Sequence, residues 1–191
     1  MRKIIVTEFI SLDGVVEAPG GEEGYQHSGW TFDVEPDPLM YAFKAEELGE
    51  VEALLLGRRT YEGFAAAWPE RHGEFADKFN SMPKYVVSST LTDPEWTNTT
   101  VLGLDDVAAL RDGEGGAIQV AGSASLVHGL HRAGLVDQWN LMVFPVILGS
   151  GKRLFPSDAA DKQKLELTEA RTYTNGVQLQ IFRPARWGPV V

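Results

Sequence analysis

The stretch Ala117 to Phe155, AIQVAGSASLVHGLHRAGLVDQWNLMVFPVILGSGKRLF, leaves the fold the least freedom, because it alternates strand, glycine turn, helix and strand. Ala117 to Ala121 is a short apolar run set off by the breaker string Gly113-Glu114-Gly115-Gly116, the pattern of a buried strand. In Gly122-Ser123-Ala124-Ser125, the glycine permits a tight turn, and either Ser123 or Ser125 can cap the helix that follows. Unpaired N–H groups at such a helix start form an anion cradle, although a plain βαβ turn uses glycine in the same way without a ligand. Leu126, Leu130 and Ala133, with Val127 beside them, share one helical face, and His131, Arg132 and Gly134 suit the helix end. Trp139 to Leu148 is apolar on both alternating faces, which predicts an interior strand, with Pro145 marking a bulge or an unpaired position.

The rest of the chain supplies partners for that unit. Lys3 to Ile10 predicts a central strand ending at Ser11-Leu12-Asp13-Gly14. A polar, glycine-rich segment from Glu17 to Asp37 follows, long enough to be a binding loop or a surface excursion pinned by Trp30 and Phe32. Asp37 and Pro38 open a helix to Leu48, Ala53 to Gly57 is a second buried strand, and Arg58-Arg59-Thr60-Tyr61 starts a second helix. Tyr85 to Val87 and Thr99 to Leu102 are further strands, with a helix over Leu104 to Leu110. Leu165 to Arg183 predicts two strands joined at Thr174-Asn175-Gly176, an antiparallel edge on a mostly parallel sheet.

Composition removes several classes of function. The net charge of −10 argues against nucleic-acid or anionic-membrane binding, which need clustered Lys and Arg. The absence of cysteine excludes disulfides and thiolate chemistry. No apolar run approaches the ~20 residues of a membrane span, so a cytoplasmic protein is expected. The 191 residues fit one sizeable core, read as a single domain over 1–184 with a tail at 185–191. Gly149-Ser150-Gly151 lacks the third glycine of a dinucleotide fingerprint, and no Walker or nucleophile-elbow pattern occurs. His128 and His131 share a helix face but have no third ligand, so no metal is expected.

Three strand ends nevertheless converge. Gly57-Arg58-Arg59-Thr60, Ser88-Ser89 and Gly122-Ser123-Ala124-Ser125 all follow strands, where open α/β sheets bind ligands. Two arginines at a helix N-terminus oppose its dipole by ~0.3–1 kcal/mol unless an anion offsets them or they point into solvent. Hydroxyls and helix N-termini beside those arginines suit a phosphorylated dinucleotide.

The ordered set Ser11-Leu12-Asp13-Gly14, Leu56-Gly57-Arg58-Arg59-Thr60-Tyr61, Ser88-Ser89, Val120-Ala121-Gly122-Ser123-Ala124, Gly134-Leu135-Val136-Asp137, Pro145 to Gly151 and Leu154-Phe155 resembles the dihydrofolate-reductase-like family. The similarity is to its branch named for the C-terminal reductase domain of the bifunctional riboflavin-biosynthesis enzyme, and it runs from about Lys3 to Arg183. The resemblance implies a three-layer α/β fold, with a mostly parallel central sheet, an antiparallel C-terminal hairpin and helices on both faces. It also implies NADPH as cofactor and a homodimer. By the same resemblance Gly57, Arg58, Arg59, Thr60, Ser88 and Ser89 hold the 2′-phosphate, and Gly122, Ser123, Ala124, Ser125 and Leu126 hold the pyrophosphate. Folate reductases carry a helix carboxylate where this chain has Met40 and Tyr41, and riboflavin-pathway reductases carry an acid where this chain has Gln138.

The activity so implied is NADPH-dependent reduction of a small heterocyclic or carbonyl substrate, similar to 5-amino-6-(5-phosphoribosylamino)uracil reductase. The alternatives are a non-catalytic NADP-binding dimer and a dihydrofolate reductase. On the substrate side Asp13 is either a catalytic carboxylate at the end of the first strand or a turn residue, and Trp30 closes over the substrate or pins its loop to the core.

Overall fold

The computed structural model describes residues 1–156 and 162–185. One eight-stranded sheet runs through it: β1 (Ile4–Ser11), β2 (Val51–Gly57), β3 (Lys84–Val87), β4 (Thr99–Leu102), β5 (Ala117–Ala121), β6 (Gln138–Phe144), β7 (Leu165–Thr172) and β8 (Gln178–Pro184). Their spatial order is β4-β3-β2-β5-β1-β6-β8-β7, parallel from β4 to β6 and antiparallel through β8 and β7. The helices are α1 (Pro38–Gly49), α2 (Arg58–Ala67), α3 (Glu74–Ser81), α4 (Val107–Asp112) and α5 (Ala124–Arg132). Among the described residues no helix is long and apolar enough to cross a membrane.

Strand alternation produces three layers. Ile4, Val6, Ile118 and Val120 face α4 and α5 through Val107, Val127 and Leu130. On the opposite face lie two separate apolar clusters. One joins Leu54 and Leu56 of β2 to Tyr61 of α2, Phe79 of α3 and Trp96. The other joins Met40 and Phe43 of α1 to Met142 and Phe144 of β6 and Leu179 and Ile181 of β8.

Asp37 caps α1 as its sequence position predicts, accepting from Leu39 N at 2.8 Å, and it also accepts from Thr174 N at 2.9 Å and Thr174 Oγ1 at 2.6 Å. One carboxylate thereby ties the helix start to the β7–β8 turn. That turn forms at Asn175-Gly176, with Gly176 at φ 86° and Tyr173 N bonded to Val177 O. The predicted strand 139–148 is shorter than expected: β6 stops at Phe144, and Val146 N turns back to Phe144 O at 2.8 Å, because Pro145 has no N–H for a ladder. The predicted helix at 104–110 splits into a 3-10 turn at Leu104–Asp106 and α4. The tail at 185–191 lies outside the described residues apart from Ala185.

Candidate functional site

The parallel strands deliver Ser11, Gly57, Val87 and Ala121 to one edge of the sheet, and α2 and α5 both begin there. The two turns interlock. Ser123 Oγ accepts from Gly57 N at 2.9 Å and donates to Ala121 O at 3.3 Å, while Ser123 N donates to Thr60 Oγ1 at 3.0 Å. Gly122 and Ser123 are both left-handed, at φ 58° and 62°, and a Cβ on Gly122 would lie 3.2 Å from Thr60 Cγ2.

Neither serine caps α5 as expected. The Ser123 hydroxyl is taken by Gly57 and Ala121, and no side chain caps the helix. Among the described residues the N–H groups of Ala124, Ser125 and Leu126 meet no protein acceptor, and the positive end of the α5 dipole stays open. Gly57, Thr60, Gly122 and Ser123 shape that opening, and the next three residues present its donors.

Beside it lies a surface groove of about 450 Å³ lined by Arg58, Val87, Ser88, Ser89, Thr90, Gly103 and Leu104. Arg58 is half-exposed and, among the described residues, its carboxylate partner is Glu62, one helical turn on, at 3.4 Å. Ser88 Oγ accepts from Thr90 N at 3.1 Å and Leu91 N at 3.0 Å, which shapes the wall, and Ser89 is exposed. The structure brings Arg58, Ser88 and Ser89 together. Arg59 is exposed and does not line the groove.

Asp13 and Trp30 lie beyond the first strand. The Asp13 carboxylate accepts from Ser11 Oγ at 2.7 Å, Leu148 N at 3.1 Å and Gly149 N at 2.8 Å, and Arg153 donates to its carbonyl. Burial alone would raise its pKa, but the bonds from Ser11, Leu148 and Gly149 outweigh burial and hold it at about 2. Of the two roles open to Asp13, these contacts describe the turn anchor. Trp30 is buried, donates from Nε1 to Glu17 O at 2.8 Å and meets Phe144 edge-on, which describes the pinning role. His128 bonds Arg153 O and His131 packs on Trp139 and Phe155; no metal-binding group occurs among the described residues.

Sequence reasoning passes over a polar seam between the two apolar clusters on the α1 face. Lys44 Nζ of α1 donates to Glu47 Oε2 at 2.6 Å and to Thr7 Oγ1 of β1 at 2.5 Å, and Thr7 donates to the same Glu47 oxygen. Asn140 of β6 donates to Glu47 Oε1 at 2.6 Å and accepts from Gln138. α1 thus carries a buried carboxylate at Glu47, beyond Met40 and Tyr41 along the helix. Glu8, the one charge in the apolar first strand, is buried with Oε1 unpartnered. Burial pushes its pKa well up, against Lys44 and the Gly122 N–H and with Glu47. The isolated charge in β1 and the i,i+3 pair in α1 were the available signals.

The chain matches the family model described as the RibD C-terminal domain over residues 2–179. It is 29% identical over 185 residues to the uncharacterized protein YyaP of Bacillus subtilis (strain 168), covering 92% of each chain. It is 26% identical over 185 residues to the uncharacterized protein YwjB of the same organism, covering 95% of this chain and 98% of that one. Among solved structures it resembles a putative riboflavin biosynthesis protein from Shewanella sp. PV-4, with a TM-score of 0.70 at 17% identity over 96% of this chain and 99% of the other. A pyrimidine reductase-like protein from Corynebacterium diphtheriae gives a TM-score of 0.64 at 15% identity over 97% and 93%. At these identities the structural likeness is one of fold.

Proposed function

The chain belongs to the RibD C-terminal domain family, a reductase family with a dihydrofolate-reductase-like fold, and on that basis we propose that it is an NADPH-dependent reductase of a small heterocyclic or carbonyl substrate. The observation that carries the reading is the pairing of two anion sites through one bond, Gly57 N to Ser123 Oγ. The open start of α5 offers the N–H groups of Ala124, Ser125 and Leu126 to a pyrophosphate, and the groove of Arg58, Ser88 and Ser89 offers a cation and hydroxyls to the 2′-phosphate. Arg59 adds positive potential from outside the groove. The cofactor, when bound, supplies the hydride. Asp13 fixes the 148–149 backbone, and Trp30 fixes the long loop, as the walls of the substrate side.

NADPH and NADH titrations followed by nicotinamide fluorescence test this reading. The wild-type protein is expected to prefer NADPH. Arg58→Ala should weaken NADPH binding by roughly ten- to hundredfold, the equivalent of one charge-assisted bond, with little change for NADH. Arg59→Ala should do less, since Arg59 stands outside the groove. Equal affinities for the two cofactors in the wild-type protein would sink the assignment.

A further inference from the structure

We propose that Lys44 is the substrate-facing cation of this protein and the group that protonates the substrate oxygen or nitrogen next to the hydride-accepting carbon. The proposal rests on the reductase reading above and deepens it, by giving the substrate side a residue that no sequence motif marks.

The geometry starts from register. Thr7 pairs with Ala121, the residue before the Gly122 turn, on one side and with Asn140 on the other. Lys44 Nζ bonds Thr7 Oγ1 and so stands on the α1 face of the sheet, over the strand position that pairs with the residue before the turn where α5 opens. This is the gap between the two apolar clusters of the α1 face, and the carboxyl-terminal half of β1 is not fully covered there. Phe9 remains partly exposed on a central strand, with Lys44 Nζ 5.4 Å from its ring centroid. The Lys44 side chain is 19% exposed whereas that of Glu47 is 3% exposed, so the lysine borders solvent and its counter-ion does not.

Hydrogen-bond capacity points the same way. An ammonium has three N–H donors, and two of them go to Glu47 and Thr7. Among the described residues the third meets no protein acceptor. Both Glu47 oxygens are occupied, Oε2 by Lys44 and Thr7 and Oε1 by Asn140, which fixes the lysine from behind and leaves its free donor for a ligand. Glu8 also feels both Lys44 and Glu47. A flat substrate lying on Phe9 would present its carbonyl or imine heteroatom to Nζ. When the carbon–heteroatom π bond breaks, the carbon takes the hydride and the heteroatom takes the Nζ proton. Lys44 then recovers a proton from water. Glu47, Thr7 and Asn140 are positioning residues, since they act only through the lysine.

Two probes test the assignment. Benzoate, a flat ring bearing an oxyanion that cannot be reduced, should bind the wild-type protein in calorimetry and lose at least tenfold in affinity in Lys44→Met. Isatin, a heterocyclic dicarbonyl, should be reduced with NADPH, and Lys44→Met should lower kcat by roughly 10²-fold, the scale of general acid assistance, while NADPH affinity holds. Should Lys44→Met fail to fold because Glu47 loses its partner, the double variant Lys44→Met with Glu47→Gln removes both charges and takes the same readouts. A folded variant that equals wild type with both probes would overturn the proposal. So would a wild-type protein that binds NADPH but neither binds benzoate nor reduces isatin. Absence of NADPH binding sinks the cofactor reading instead, and the benzoate titration of the free protein still decides Lys44.

Discussion

A carboxylate that accepts two backbone N–H groups and a hydroxyl, as Asp13 does, is stabilised in its ionised form and resists giving or taking a proton near neutrality. Its folded pKa of about 2 lies below the ordinary 3.8, so its contribution to stability is complete above pH ~4 and fades as the pH falls from ~4 to ~2. That contribution is ~2 kcal/mol. Asp13→Asn should lower the melting temperature at neutral pH and flatten the loss of stability between pH 4 and pH 2, as followed by urea unfolding at each pH. An unchanged acid limb would show that the bonds to Leu148 and Gly149 are not what holds that loop. Turn chemistry around Asp13 was legible because it depends on neighbours in sequence. Its acceptor role toward Leu148 and Gly149, 135 and 136 positions away, was not.

Lys84 shows how a single side chain joins elements. It is fully buried at the start of β3 and donates to Asn80 O at 2.6 Å, Met82 O at 2.8 Å and Thr97 O at 3.1 Å, with the Trp96 ring 4.4 Å away. These carbonyls belong to α3, to its C-cap and to the segment before β4, so the ammonium closes three chain ends at once. Burial pushes its pKa down to about 8. Lys84→Met keeps the stem but leaves three acceptors without their donor, and should cost ~2 kcal/mol in urea unfolding without weakening NADPH binding. A loss under about 0.5 kcal/mol would mean that water satisfies those carbonyls. The helix that Lys84 anchors is the element the sequence reading leaves unassigned, for a physical reason. α3 has eight residues, follows Gly73 at φ 108° and buries only Ala76 and Phe79, so its stability comes from Phe64, Trp68 and Trp96 rather than from local propensity.

The far edge of the sheet frames the question of assembly. β7 is an edge strand with most side chains exposed, Leu167 is 52% exposed on it, and Phe155 is 43% exposed near Trp139. We expect a two-fold dimer, so that light scattering should return about twice 21.0 kDa; a concentration-independent monomer would refute it. The identity of the central elements follows from local signals: short apolar runs give the central strands, Asp37-Pro38 opens α1, and Asn175-Gly176 folds the hairpin. These signals work because backbone preference and burial are felt within a few residues. The two turns that begin α2 and α5 were legible too, since each is a contiguous motif. Their interlock through Ser123 was not, nor was the Lys44–Glu47–Thr7–Asn140 seam, which draws on α1, β1 and β6. Strand register sets Thr7 beside Ala121 and Asn140, and register is a property of the assembled sheet, so only packing of α1 on that sheet brings Lys44 against Thr7.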